Sequence, residues 1–159
     1  MKNLSLNWRI ANMNKIIEEN HIFLSEKLNT KLECLNFLSI QSEKLSISNN
    51  SDEVLKALLE REKEISTGFT DGIAIPHTQS STILKPALIF IKNREGIEWQ
   101  TLDGKLVHLI IAIFVPKDSE ENLHLKLLSS LARKLMDKDF RNRLLNTQNK
   151  KVILELLSQ

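Results

Sequence analysis

The 159 residues include one cysteine, four glycines and three prolines. A lone cysteine, Cys34, excludes an internal disulfide and the cysteine-rich zinc patterns, and it fits a reducing cytosol. It falls within a helical pattern, where a small core residue is expected. Long hydrophobic runs are also missing: the longest, residues 109–115, is far short of the roughly 18 residues of a membrane span. Residues 1–12 carry no continuous apolar segment, so they do not read as a secretion signal. Neither sign of charge dominates. Lysine and arginine total 22 against 20 acidic residues, a formal charge of +2 that is too even for a nucleic-acid or membrane-surface protein.

Signatures of nucleotide chemistry are absent too. There is no G-x-x-x-x-G-K-[ST], and Gly68-x-x-x-Gly72 does not fit the dinucleotide loop. No serine or cysteine stands in a nucleophile elbow. His77, His108 and His124 are not at ligand-motif spacing from one another, so no metal site and no cofactor are expected. The expectation is one cytoplasmic, soluble domain without direct membrane insertion, long enough to bury a core.

What the chain does have is concentrated in Thr67-Gly68-Phe69-Thr70-Asp71-Gly72-Ile73-Ala74-Ile75-Pro76-His77-Thr78. Gly68 and Gly72 permit positive φ and close backbone approach, which predicts a nest of N–H groups suited to an anion. Ile73-Ala74-Ile75 reads as a short strand, and Pro76 fixes φ just before His77. A stiff loop presenting an imidazole beside anion-binding amides is what a phosphoryl-accepting histidine needs.

Around this loop the pattern alternates helices and strands. Residues 1–12 read as an N-terminal extension, and a single domain spans residues 13–159. Thr30 with Glu33, and Asn50 with Glu53, mark two capped helices ending near Leu45 and Lys63. Residues 87–91 and 106–115 read as strands, the second apolar enough to be covered on both faces. Asp118 with Glu121 is expected to cap a long helix through Leu135, with two shorter helices after it. This predicts an α/β fold: a mixed β-sheet flanked by α-helices on both faces.

Helical spacing puts Val54, Leu55, Leu58 and Leu59 on one stripe, with Glu62 inside it and Arg61 at its border. On spacing alone, a surface-edge ion pair is as good a reading as an Arg61 that reaches the loop while Glu62 holds it. His124 lies on the stripe of Leu127, Leu128, Leu131 and Leu135, in the first turns, where a helix N-terminus attracts anions. His108 reads as structural within its strand, and His21 is given no role.

In this order, these blocks resemble the IIA component of the sugar phosphotransferase system, fructose/mannitol class. They are Arg61-Glu62-Lys63, Thr67-Gly68 through His77, Ile97-Glu98-Trp99 with Asp103-Gly104, His124 through Leu128, Arg133 through Met136, and Phe140-Arg141. The Trp99 and Asp103-Gly104 blocks look closer to fructose-type domains. The resemblance implies a phosphocarrier. His77 would take a phosphoryl group from phosphorylated HPr and pass it to a cysteine of a IIB domain, for sugar uptake through a membrane IIC permease. His124 and Arg61 match the family's second histidine and its arginine. Thr67, Gly68, Thr78 and Glu62 complete the expected phosphate site. Thr70 and Thr78 stand where smaller residues are usual: Thr70 disfavours positive φ, and Thr78 adds a hydroxyl beside His77. The alternative is a nitrogen-type regulatory IIA protein that acts on partners through its phosphorylation state.

Overall fold

The structure is a computed structural model that describes residues 16–119 and 122–158; the expected extension over residues 1–12 lies outside them. Helices α1 (Lys31–Lys44) and α2 (Ser51–Glu64) begin where local chemistry places them. Thr30 Oγ1 accepts from the Glu33 amide at 3.0 Å, and Asn50 Oδ1 accepts from the Glu53 amide at 3.2 Å. Each cap satisfies a donor that a helix start otherwise leaves unpaired. Glu33 reaches back to the Asn29 amide at 2.8 Å, one residue before the cap.

The sheet holds β1 (Ile22–Glu26), β2 (Ile73–Ala74), β3 (His77–Ser80), β4 (Ala87–Ile97) and β5 (Val107–Pro116). β4 and β5 are antiparallel, and β1 runs parallel to β4. β2 and β3 lie in succession along the other side of β5, both parallel to it. They form one edge strand broken at Ile75-Pro76. Neither β1 nor β3 is expected from the sequence, and His77, expected on a loop, is the first residue of a strand.

Side chains of β4 and β5 alternate between two apolar cores, as the pleat requires. Leu88, Phe90, Ile111 and Ile113 face α3 (Leu123–Leu135), α4 (Lys138–Asn146) and α5 (Lys150–Ser158). Ile89, Ile91, Ala112 and Phe114 face α1 and α2. The mixed sheet with helices on both faces is therefore observed. Phe90 and Phe114 are fully buried on opposite sides, and truncating either to alanine removes contacts of the order of 3–5 kcal/mol. Cys34 lies in the second core, where burial pushes its thiol up to about 12.

One helix start differs from expectation. α3 begins at Leu123 after Asn122, which adopts a left-handed φ of 61° and makes no side-chain cap bond. Asp118 lies too far upstream to cap it, and Glu121 lies outside the described residues. None of the described helices is long and apolar enough to cross a membrane.

The glycine-rich segment is a small hairpin. Phe69 N donates to Ile73 O at 2.8 Å and Ile75 N to Thr67 O at 2.9 Å. The turn is carried by Asp71 (φ 55°) and Gly72 (φ 76°), two successive positive angles of the kind that Asp-Gly supplies to tight hairpins. Gly68 does not have positive φ; it is needed for close approach instead. A Cβ there would sit 2.0 Å from the Gln100 carbonyl oxygen, a backbone atom that cannot swing aside. Gly68→Ala should therefore lower the unfolding free energy by about 1–3 kcal/mol, as overpacking does, measured by chemical denaturation.

Candidate functional site

Four of the seven site residues singled out from the sequence meet in one cleft. His77, Arg61, His124 and Thr78 line an open depression of about 430 Å³, together with Glu60 and Glu64 at its rim. Arg61 comes from the last turn of α2, His77 from the start of β3 and His124 from the first turn of α3. The cleft thus lies where helices from both faces meet the broken edge strand.

The imidazole of His77 is held at both nitrogens. Nδ1 is 2.9 Å from the Ile75 carbonyl oxygen. A carbonyl can only accept, so Nδ1 carries the proton and Nε2 keeps its lone pair. Arg61 Nε donates to that Nε2 at 3.1 Å, while Arg61 Nη1 donates to Ile65 O at 2.7 Å. The second bond anchors the guanidinium to an otherwise unpaired carbonyl at the helix end. His124 is half-buried, and its Nδ1 has no hydrogen-bond partner among the described residues. Thr78 is buried, and its hydroxyl donates weakly to Gln79 O at 3.3 Å.

Burial is the main cause that holds the His77 pKa below the ordinary 6.5. The bond to Ile75 opposes it, the Arg61 charge assists it, Glu62 opposes it and His124 assists it. The ring is therefore neutral at neutral pH, with a free electron pair on Nε2 apart from the Arg61 contact.

Thr67, Gly68 and Glu62 stand elsewhere. The Thr67 hydroxyl donates to Glu62 Oε1, and the Thr67 amide donates to Glu62 Oε2 at 3.3 Å. The Gly68 amide donates to Ser66 Oγ at 3.2 Å, the Phe69 amide is used in the hairpin, and the Asp71 amide donates to Asp103 Oδ2 at 2.9 Å. Three amides of the expected nest, those of Gly68, Phe69 and Asp71, are thus spent internally and not turned to an anion. Glu62 does not hold the Arg61 guanidinium; the Ile65 carbonyl does. Thr70 avoids positive φ because Asp71 takes it, and the Thr70 hydroxyl donates to Asp103 at 3.0 Å. These bonds hold the Asp103 carboxyl at about 2 and brace the hairpin against residues 101–105.

The other two histidines are now placed. His108 is exposed at the rim of a separate cleft beside Lys105 and Lys138, not packed within the strand face. His21 is buried, with Nδ1 2.9 Å from Leu88 O, a structural role the sequence did not reveal. Glu60 and Glu64 also went unrecognised. Their signal was present, since residues 57, 60, 61 and 64 share a helical face.

A pH titration followed by NMR should place the His77 midpoint below 6.5, and Arg61→Gln should move it upward by removing a nearby positive charge. The folded state disfavours protonation of both His77 and His21. The unfolded chain then binds more protons below pH 6.5, so stability should fall as pH drops through that value, measured by denaturation at each pH.

Residues 15–159 match the family described as "Phosphoenolpyruvate-dependent sugar phosphotransferase system, EIIA 2". The chain is 36% identical over 138 residues to the "PTS system fructose-specific EIIA component" of Haloferax volcanii, covering 87% of this chain and 89% of that protein. Its fold superposes on the nitrogen regulatory protein IIA-Ntr of Neisseria meningitidis with a TM-score of 0.84 at 30% identity, covering 91% of this chain and 98% of that one. It also matches a chain of the Escherichia coli complex of enzyme IIAMTL and phosphorylated enzyme IIBMTL, with a TM-score of 0.74 at 27% identity and 89% and 96% coverage.

Proposed function

This chain belongs to the type-2 EIIA family of the phosphoenolpyruvate-dependent sugar phosphotransferase system, and on that premise we propose that it is a phosphocarrier whose His77 Nε2 accepts and releases the phosphoryl group. The observation that carries the reading is the pairing of the two ring nitrogens: Nδ1 committed to the Ile75 carbonyl, Nε2 turned to Arg61 in an open cleft. The donor is the phosphohistidine of HPr. As its N–P bond breaks, the electron pair returns to the donor ring, and the Nε2 lone pair of His77 forms the new N–P bond. The phosphorylated ring keeps its Nδ1 proton and gains a positive charge as the N–P bond forms, which the Ile75 carbonyl dipole stabilises.

Such a transfer asks chiefly for alignment and for positive charge near the three equatorial oxygens. Arg61 Nε must leave the lone pair before attack, and its anchor at Ile65 lets it turn towards those oxygens without leaving the cleft. His124, with one buried nitrogen lacking a partner, is suited to donate to the same group. An unpaired buried donor costs about 1–3 kcal/mol, so a ligand oxygen that satisfies it gains accordingly. Thr78 lies beside the ring as a further hydroxyl. The phosphoryl group then passes to a cysteine of a IIB domain: an S–P bond forms, the N–P bond breaks, and its electrons return to Nε2. Sugar uptake would follow through a IIC permease, with this chain in the cytoplasm.

The name of the Haloferax volcanii relative favours a fructose-type transport role. The likeness to the nitrogen regulatory protein keeps a second reading in view, in which the phosphorylation state of His77 governs partner proteins directly. The cleft chemistry is the same for both.

Incubation with phosphoenolpyruvate, the first enzyme of the pathway and HPr should label His77, located by mass spectrometry, and His77→Ala should abolish the label. The bond should be labile to acid and stable to base; the opposite stability would indicate a serine or threonine ester. His124→Ala should leave a folded chain that is phosphorylated more slowly, and Arg61→Gln should reduce the rate about 100-fold, as loss of one charge-stabilising donor does.

A further inference from the structure

Lys31 is the first helical residue of α1, at the end where the helix dipole repels a cation. Local preference therefore does not explain it; a tertiary partner does. Its Nζ lies 2.6 Å from Glu62 Oε2, whose side chain is only 7% exposed, and 5.0 Å above the centre of the Trp99 ring. Burying a carboxylate so well requires a paired, hydrogen-bonded cation. The Glu62 carboxylate also accepts from both donors of Thr67.

From Thr67 the connection continues to the reacting ring. The Thr67 carbonyl accepts the Ile75 amide at 2.9 Å, and the Ile75 carbonyl accepts from His77 Nδ1 at 2.9 Å. The residue after Trp99, Gln100, is tied to the same turn, its carbonyl accepting from Ser66 Oγ at 2.6 Å. Lys31 itself does not line the cleft.

We infer that Lys31 is a positioning residue for phosphoryl transfer: it holds the Glu62 carboxylate in place, Glu62 fixes Thr67, and Thr67 sets the Ile75 peptide that selects the Nδ1–H tautomer of His77. The inference rests on His77 as the acceptor. Removing the ammonium leaves Glu62 free to turn outward, which withdraws an acceptor from Thr67. The Ile75 carbonyl then loses its fixed aim, and the ring samples the tautomer whose Nε2 bears hydrogen and cannot attack phosphorus.

Two measurements on the full chain test this. In the unphosphorylated protein, ¹⁵N NMR of His77 should report one neutral tautomer, and Lys31→Met should convert it to a mixture. With phosphorylated HPr as donor, Lys31→Met should lower kcat about 10-fold or more at unchanged KM, the effect expected of misalignment. Lys31→Arg, which keeps the charge, should restore both. Glu62→Gln provides a second route, and should also mix the tautomers should Lys31→Met fail to fold. A rise in KM alone would make Lys31 a partner contact and overturn the inference. So would a change in only one of the two readouts, or in neither. Absence of label on His77 in the unsubstituted chain would overturn the acceptor reading instead, while the tautomer measurement would still report on the ion pair.

Discussion

The hydrogen bond between His77 Nδ1 and the Ile75 carbonyl is the constraint on which the rest of the site depends. It decides which nitrogen is basic, and so which face of the ring can react. It exists because the edge strand is interrupted: β2 ends at Ala74, Pro76 has no amide to donate, and β3 resumes at His77. In a continuous strand the Ile75 peptide would be absorbed by the ladder with β5. The break frees its carbonyl to turn back on a side chain two residues later.

The two sides of this peptide are held by different parts of the fold. Pro76 O accepts the Ile113 amide at 2.9 Å, which ties the histidine to the central strand. The Ile75 amide is tied to the hairpin, and the hairpin is braced twice. Asp103 and Asp71, with Arg141 and Lys105, fasten its tip, while Glu62 and Lys31 fasten its base. Asp103 and Lys105 at the tip are exposed and screened, so individually they contribute little. The carboxylate at the base is buried, and there a missing partner matters.

The sequence disclosed those parts of the molecule whose causes are local. Helix caps at Thr30 and Asn50 were readable because the side chain and the amide it satisfies are three residues apart. The apolar run of β5 was readable because burial on both faces needs no partner to be named. β1 escaped because Ile22–Glu26 is short, lacks clean alternation and pairs with residues more than sixty positions away. β3 escaped because His77–Ser80 is polar, held by its neighbour rather than by propensity. Among the site candidates, Arg61, His77 and His124 were within reach of helical spacing and a glycine-rich signal. Glu62 was rightly placed in the apolar stripe, yet its partner Lys31 lies on another helix, and spacing along one helix could not supply it. Asp71-Gly72 was read as part of an anion nest, although the pair is also the strongest short signal for a hairpin turn.

Arg61 hangs from a helix seated on one core and His124 from a helix seated on the other. The two meet only after both halves of the protein have condensed around the sheet. A chain with either half still molten would hold a lone imidazole without its companions. The cleft is thereby a product of the whole architecture, since its flanking side chains are delivered from opposite cores and neither core alone can assemble it.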